Sequence, residues 1–157
     1  MSLSVRIARA SDLDAILEVQ AHGDGATHER FRTWASAAVD AAHERLCIAE
    51  SDGEPVGWAS TRHFDDIVDD APAGEYLMGV RVRGAHRRRG VGSALVAARL
   101  ELIRRSGAEH AYYFTNVRNE ASIASHRRWG FREIARAPGF RGVSFDGGEG
   151  ILFAAPL

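Results

Sequence analysis

Three consecutive arginines, Arg87, Arg88 and Arg89, stand directly before two glycines, Gly90 and Gly92, that open a predicted helix. Glycines in such a place let the backbone approach a ligand and present its N–H groups. The positive end of the helix dipole points to the same place, and arginine side chains bind phosphate oxygens through paired hydrogen bonds. The segment therefore predicts a site for a phosphate or pyrophosphate group.

The sequence has no lysine, so its 20 strongly basic side chains are all arginine. This excludes nucleotide-binding P-loops, protein kinases and pyridoxal-phosphate enzymes, because each of them depends on a lysine. A dinucleotide-binding fingerprint is also excluded, because it needs a third glycine where Leu95 stands. The predicted phosphate group therefore belongs to a ligand that is bound by none of these four kinds of site.

The arrangement Arg-x-x-Gly-x-Gly at residues 87–92 resembles the acyl-CoA-binding loop of the GNAT N-acetyltransferase superfamily. A second segment resembles that superfamily's pattern Asn-x-x-Ala/Ser-x-x-x-Tyr-x-x-x-Gly-Phe. The matching residues are Asn119, Ser122, Gly130 and Phe131. The resemblance extends over about residues 4–137 and is most specific over residues 76–131.

The resemblance implies acetyl-CoA as the co-substrate and gives a role to each matching residue. Main-chain amides of the loop would hold the pyrophosphate, with Arg87 at the superfamily's Arg/Gln position. The main chains of Val80 and Val82 would pair with the pantetheine arm, and one of these amides would polarise the thioester carbonyl. The residues expected to bind the cofactor are Val80, Val82, Arg87, Arg88, Arg89, Gly90, Val91, Gly92, Ser93, Asn119 and Ser122.

The same resemblance implies two catalytic side chains. Glu75, at the start of the cofactor strand, is the candidate base that removes a proton from the attacking ammonium. His126 stands where the superfamily usually has a tyrosine, which is proposed to protonate the departing thiolate. Other interpretations stay open: Glu75 as a solvated strand-end carboxylate, His126 as packing on a helix face, and Tyr112 or Tyr113 as the donor.

A run of carboxylates leads into the cofactor strand. Its members are Asp65, Asp66, Asp69, Asp70 and Glu75. Such a run is commonly a solvated loop, but here it could also border the acceptor site and attract a cationic amine. The residues expected to bind the acceptor are Trp34, Phe64, Asp69 and Asp70.

The composition limits the class of protein. A chain of 157 residues, 45% hydrophobic and 26% charged, predicts one globular domain over residues 1–157, which the resemblance implies is a GNAT acetyltransferase domain. The net charge of −1 argues against a nucleic-acid partner, and no apolar stretch is long enough to cross a membrane. One cysteine, Cys47, and seven histidines without ligand spacing predict neither a disulfide nor a metal site. We expect a cytoplasmic monomer or homodimer.

Hydrophobic spacing predicts the elements that position these residues. Strands are expected over residues 4–10, 46–50, 56–61, 76–82, 110–115, 131–137 and 151–155. Helices are expected after a capping box at Ser11 and Asp14, and over residues 27–43, 90–106 and 120–128, with a break at residues 23–25. In the third helix, Arg99, Glu101, Arg104 and Arg105 are expected to face outward.

The fold class is then α/β (α+β), with a mixed, mostly antiparallel sheet and about four helices. The resemblance adds that the sheet has a central V-shaped splay. The predicted reaction is direct acetyl transfer to a primary amine in a ternary complex, with a small cationic amine such as an aminoglycoside or polyamine as acceptor. The alternatives are a peptide or protein N-terminus as acceptor and a non-catalytic acyl-CoA-binding sensor. A nucleic-acid-binding module that uses residues 81–89 is less favoured, because of the net charge.

Overall fold

The computed structural model describes residues 2–21 and 25–157. The described residues form four helices of at least two turns. They are α1 (Leu13–Gln20), α2 (Gly25–Ala38), α3 (Val91–Arg105) and α4 (Glu120–Arg127). The strands are β1 (Leu3–Ile7), β2 (Glu44–Ser51), β3 (Glu54–Phe64), β4 (Gly74–Val82), β5 (His110–Asn116), β6 (Arg132–Ala137), β7 (Gly139–Phe140), β8 (Val143–Ser144) and β9 (Gly150–Pro156). Short 3-10 turns lie at Ala10–Asp12 and Gly84–His86.

Seven strands form one sheet in the order β1-β2-β3-β4-β5-β9-β6. The pairs β1–β2, β2–β3, β5–β9 and β6–β9 are antiparallel. Strands β4 and β5 are parallel and pair at two positions, Glu75 with Ala111 and Tyr76 with Tyr112. The predicted fold class is therefore confirmed.

The chain divides into two compact units. The first comprises residues Met1–Arg62 and Met78–Leu102, and the second comprises His63–Leu77 and Ile103–Leu157. The single domain over residues 1–157 stays a prediction. Among the described residues, no helix has the length and apolar character that a membrane crossing needs.

The described residues of the first unit include two apolar clusters. One joins Ile16 and Val19 of α1 to Leu46, Ile48 and Trp58 of the sheet. The other packs the start of α3 on the strands. At Gly57 a Cβ would lie 3.1 Å from the carbonyl oxygen of Arg81 and 3.2 Å from the side chains of Leu95 and Val91, so a larger residue would push these neighbours away by a few tenths of an ångström. Cys47 is buried, and burial raises the pKa of its thiol.

The second unit has an aromatic core. The ring of Tyr113 contacts His126, Phe131 and Phe153, with ring centroids 3.7, 6.0 and 5.8 Å away. Side chains of β5 alternate in burial, so Tyr113 faces this core while Tyr112 is half-buried. The two tyrosines therefore point to opposite faces of the sheet.

Three local predictions need correction. The capping box at Ser11 and Asp14 is wrong: Asp12 precedes α1 and accepts the Arg9 N–H at 2.8 Å. A bidentate ion pair with Arg6, at 2.7 and 2.8 Å, fixes this carboxylate and lowers its pKa to about 2.

Helix α2 spans Gly25–Ala38 instead of residues 27–43, so Gly25 is helical. Gly23, also part of the predicted break, lies outside the described residues.

Arg99 does not face outward as predicted. Its side chain is buried, with 1% exposure of the residue, and donates to three carbonyl oxygens. The Nε group donates to Leu95 at 3.2 Å, and Nη1 donates to Ser60 at 3.1 Å and to Met78 at 3.5 Å. The helical pattern predicts that a charged residue faces the solvent. The long arginine side chain can instead donate hydrogen bonds to buried carbonyl oxygens that water cannot reach.

Replacement of Arg99 by Met is expected to lower the free energy of unfolding by about 3 kcal/mol, because it leaves buried carbonyls without their donor. Urea unfolding followed by circular dichroism measures the change. The matched control is Arg32→Met, on the exposed part of α2, which should change stability by less than about 0.5 kcal/mol. A loss below about 1 kcal/mol for Arg99→Met would show that these contacts are not important for stability.

Candidate functional site

The arginine-rich loop connects the end of β4 to the start of α3. The backbone is left-handed at Arg88 (φ 61°) and at Gly90 (φ 84°), which bends the chain sharply before the first helical turn. Val91 is buried and fixes the helix on the sheet, whereas Gly92 and Ser93 are exposed. The backbone N–H groups of this first turn have no acceptor within the helix. The sequence therefore builds an exposed helix N-terminus from a strained turn and one apolar anchor.

The same loop has the space and charge that a pyrophosphate needs. A Cβ added at Gly90 or Gly92 would meet no atom within 4 Å. Arg87, Arg88 and Arg89 are all exposed. The Nε of Arg87 donates to the carbonyl oxygen of Val82 at 3.4 Å, which ties the loop to β4. An exposed helix N-terminus beside three exposed arginines is chemically suited to an anion, and the binding of the CoA phosphates here stays a prediction.

A cavity of about 320 Å³ lies in the first unit. The rings of Phe31, Trp34 and Trp58 lie against one another with centroids 5.2 to 5.6 Å apart. The cavity is lined by Gln20, Phe31, Trp34, Glu44, Trp58, Ser60, Arg62, Met78 and Gly79. Its walls are thus aromatic, with a small number of polar groups, as is typical of small-molecule sites.

Hydrogen bonds fix the polar groups of this cavity. Trp34 Nε1 donates to Glu44 Oε2 at 3.1 Å, and Trp58 Nε1 donates to Gln20 Oε1 at 3.0 Å. The Nη1 of Arg62 lies 3.9 Å from Glu44 Oε1. The indole N–H groups are thereby satisfied, and the Glu44 carboxylate is held beside the rings.

Strand β4 approaches this cavity closely at Gly79. A Cβ there would lie 2.9 Å from Cη2 of Trp58, which is closer than real Cβ atoms approach. The glycine at this position therefore lets the backbone of β4 lie against the Trp58 ring. Any larger residue would displace the Trp58 indole and change the cavity.

Glu75 lies in the second unit, at the start of β4, and is 8% exposed. Its Oε1 lies 3.1 Å from Nδ1 of His63, and Nε2 of the same ring lies 2.8 Å from Oδ1 of Asp65. Glu75 is therefore a buried carboxylate with an imidazole partner. The sequence reasoning missed His63, although it stands next to the acidic run.

Arg141 organises the acidic run. Its side chain is 2% exposed and donates from Nη1 to Asp66 Oδ1 at 2.9 Å and from Nη2 to the carbonyl oxygen of Pro72 at 2.6 Å. The guanidinium carbon lies 4.2 Å from the ring centroid of Phe64. Burial raises the pKa of the neighbouring Tyr76. Part of the run is therefore paired with an arginine, which sequence analysis missed.

The predicted acceptor residues are divided between the units. Trp34 lines the aromatic cavity of the first unit. Phe64, Asp69 and Asp70 belong to the second unit, where Phe64 packs on Arg141 and both aspartates are exposed. Their roles toward an acceptor stay predictions.

The second segment on which the resemblance rests, residues 119–131, contains α4. The Oδ1 of Asn119 accepts the N–H of Ser122 at 3.4 Å, and its Nδ2 donates to Thr115 Oγ1 at 3.2 Å. The Ser122 hydroxyl is hydrogen-bonded to the hydroxyl of Tyr113. Asn119 is thus the N-cap of α4, which explains its residue type locally. A role of Asn119 and Ser122 toward CoA stays a prediction.

His126 is buried on the inner face of α4. Its ring stacks on Tyr113 with an interplanar angle of 4°, and its Nδ1 donates to the carbonyl oxygen of Ser122 at 2.8 Å. A backbone carbonyl only accepts, so this contact places a proton on Nδ1. The environment is that of a packed core histidine, while its part in catalysis stays a prediction.

No group of three or more His, Cys, Asp and Glu side chains suited to a metal ion occurs in the described part of the chain.

Two kinds of sequence comparison point to one family. The model of the acetyltransferase (GNAT) family matches residues 8–131. An N-alpha-acetyltransferase of Sulfurisphaera tokodaii is 29% identical over 116 residues, which are 70% of this chain and 68% of that protein. An aminoglycoside N(6')-acetyltransferase type 1 of Stenotrophomonas maltophilia is 35% identical over 106 residues, 66% of this chain and 69% of that protein.

Solved structures share the fold. The PaiA N-acetyltransferase of Thermoplasma acidophilum, crystallised in complex with coenzyme A, superposes with a TM-score of 0.72 at 12% identity. The match covers 100% of each chain.

Proposed function

This chain belongs to the GNAT family of acetyltransferases, and from that premise we propose that its acceptor is a small cationic primary amine, attacked directly in a ternary complex. Acetyl-CoA dependence is a property of the family, so the chain is an acetyl-CoA-dependent acetyltransferase. The finer proposal concerns the acceptor and the residues that serve the reaction. The observation that carries it is the aromatic cavity with the carboxylate of Glu44.

An aromatic cavity with one carboxylate suits an ammonium group with an apolar body. The faces of Trp and Phe rings attract cations, by about 0.5 to 2 kcal/mol for each well-placed ring. The Glu44 carboxylate adds a charge partner that the ammonium would share with Arg62, whose Nη1 lies 3.9 Å from Oε1, and the Trp34 N–H holds the carboxylate in place. The acidic run with Asp69 and Asp70 would add a long-range attraction for cations.

The cofactor would be held by the residues of the arginine-rich loop. Backbone amides from Arg88 to Ser93 and the guanidinium of Arg87 would bind the pyrophosphate, and the main chains of Val80 and Val82 would bind the pantetheine arm. Val80 is 48% exposed, so a partner can reach this part of β4. Bound acetyl-CoA supplies the acetyl thioester.

Glu75 is proposed to remove the proton of the ammonium group. An amine with a pKa near 10 is free in about one molecule in a thousand at pH 7, so a base is needed close to it. A thiol has a pKa near 8.5, and its thiolate therefore leaves readily without an acid. The burial and stacking of His126 support the packing interpretation, so we assign it no proton transfer.

A peptide N-terminus is the second candidate acceptor. It is supported by the similarity to a protein named N-alpha-acetyltransferase, which is 29% identical. The more identical of these two relatives is named for an aminoglycoside, a small polycationic amine, which favours the first candidate.

Replacement of Glu44 by Gln is expected to raise the acceptor KM of a polyamine or aminoglycoside about tenfold, because one charge contact with the ammonium is lost. The KM of a neutral amine and that of acetyl-CoA should change by less than about twofold. Initial rates of CoA release, measured for an amine panel, give these constants. The matched control is Glu54→Gln, on the exposed start of β3. Neutral amines that outcompete polyamines and aminoglycosides in the unaltered protein would overturn the proposal.

A further inference from the structure

His63 connects a buried carboxylate to an exposed one. The residue lies near the end of β3, its Nδ1 faces Oε1 of Glu75 at 3.1 Å, and its Nε2 faces Oδ1 of Asp65 at 2.8 Å. The side chain of Glu75 is 11% exposed, that of His63 is 41% exposed and that of Asp65 is 79% exposed. The imidazole therefore lies between the interior and the solvent.

The number of N–H groups on the His63 ring decides how many of its two carboxylate contacts can be hydrogen bonds. A carboxylate oxygen only accepts a hydrogen bond, and a neutral imidazole has one N–H. A neutral ring can therefore satisfy one of the two contacts, whereas the imidazolium satisfies both. The charged groups that face the ring are Glu75 on β4 and Asp65 in the loop after β3.

We propose that His63 is a positioning residue that orients the Glu75 carboxylate for its part in acetyl transfer. Its Nδ1–H donates to Oε1, which fixes the carboxylate plane and leaves Oε2 for the proton of the amine. In that step an N–H bond of the ammonium breaks, an O–H bond forms at Oε2, and the nitrogen keeps its electron pair for attack. Asp65 accepts the Nε2–H and holds the ring in this orientation. The inference rests on the proposed role of Glu75.

Two substitutions of His63 distinguish the effect of its hydrogen bond to Glu75 from the effect of its side-chain shape. Asn and Leu have nearly the same shape, and each carries two atoms on Cγ, but only Asn can place an N–H where Nδ1 stands. His63→Leu is expected to lower kcat about 30-fold, which is less than the loss of about 100-fold or more that removal of the base itself should cause. The acceptor KM and the Kd for acetyl-CoA should stay within about twofold. His63→Asn is expected to keep kcat within about threefold of the unaltered protein. His43→Asn, at an exposed histidine, is the matched control.

Nitrogen NMR of the free protein gives a readout that does not depend on activity. Long-range 15N–1H spectra of the histidine rings should show a proton on Nδ1 of His63, because that nitrogen donates to Glu75. Asp65→Asn should leave this proton in place. A ring with an unprotonated Nδ1 near neutral pH would overturn the proposal.

The double variant that joins His63→Leu to Glu75→Gln distinguishes the positioning role of His63 from the base role of Glu75. If His63 acts through Glu75, His63→Leu should have no further effect on kcat in the Glu75→Gln background. An equal loss for Asn and Leu, or a loss that persists in that background, would overturn the role of His63. If Glu75→Gln alone leaves kcat unchanged, the base assignment itself is wrong. If Glu75→Gln lowers kcat but His63→Leu does not, only the positioning role of His63 fails. Thermal unfolding of each variant shows that the proteins are folded.

Discussion

Gly92→Glu is expected to weaken acetyl-CoA binding by at least about 100-fold, equivalent to about 2.7 kcal/mol. Gly92 is exposed at the start of α3, and a Cβ there would meet no atom within 4 Å. The fold should therefore tolerate a larger residue. A glutamate would fill the space proposed for the pyrophosphate and add a negative charge where arginines and the helix dipole favour an anion.

Titration calorimetry with acetyl-CoA measures this loss. The matched control is Ala97→Glu, on the exposed face of the same helix, which should change the affinity by less than about threefold. Gly92→Arg adds at least as much bulk, with a positive charge in place of the negative one, so its affinity shows how much of the effect is steric. Unchanged binding by both Gly92 variants would show that the pyrophosphate does not lie at this loop.

Glu75→Gln is expected to lower kcat for amine acetylation about 100-fold or more at pH 7, because the ammonium group loses its base. The variant should depend on the small fraction of free amine, about one in a thousand for a pKa near 10. Its rate should therefore rise with pH, and the difference from the unaltered protein should narrow toward pH 9. The binding of acetyl-CoA should not change.

Initial rates of CoA release from pH 6 to 9 test this prediction. Glu109→Gln, an isosteric change at an exposed position just before β5, is the matched control and should keep kcat within about twofold. If Glu75→Gln keeps kcat within about threefold at pH 7, another group removes the proton.

Local sequence patterns predicted the loop well. Arginine and glycine spacing at residues 87–92 describes a strand end, a turn and a helix start, all within a few residues of one another. The structure has an exposed turn there, with Gly90 in the left-handed region that its residue type allows. Gly79 also carries local information. A glycine inside a strand often marks a bulge or a close approach of a neighbouring group, and here the neighbour is the Trp58 ring.

Contacts between distant segments were not predictable in this way. The His63–Glu75 contact depends on how β3 is followed by the acidic loop and β4, and hydrophobic periodicity carries no information on that geometry. The aromatic cavity brings together Trp34 of α2, Glu44 of β2 and Trp58 of β3, which are far apart in the sequence. Only Trp34 was singled out from the sequence, and its polar partner was missed.

The main error of the sequence analysis concerned buried arginines: Arg99 was expected to face outward, and Arg141 was not singled out. Arg99 and Arg141 both look like surface residues by type, yet both are buried and donate to backbone carbonyl groups. A guanidinium has five donors and an apolar stem, so it can close a gap in a sheet or loop where carbonyls lack partners. Such a role depends on unpaired carbonyl groups elsewhere in the fold, which the sequence does not display.

The most direct test of the proposed function is acetylation of an amine panel, with released CoA and the mass of the acetylated product measured together. The panel needs a polyamine, an aminoglycoside, a neutral amine and a peptide with a free N-terminus. We expect the two polycationic amines to have the highest kcat/KM and to gain the mass of one acetyl group for each CoA released. A higher kcat/KM for the neutral amine or the peptide, or acetyl-CoA binding without turnover of any amine, would contradict the proposal.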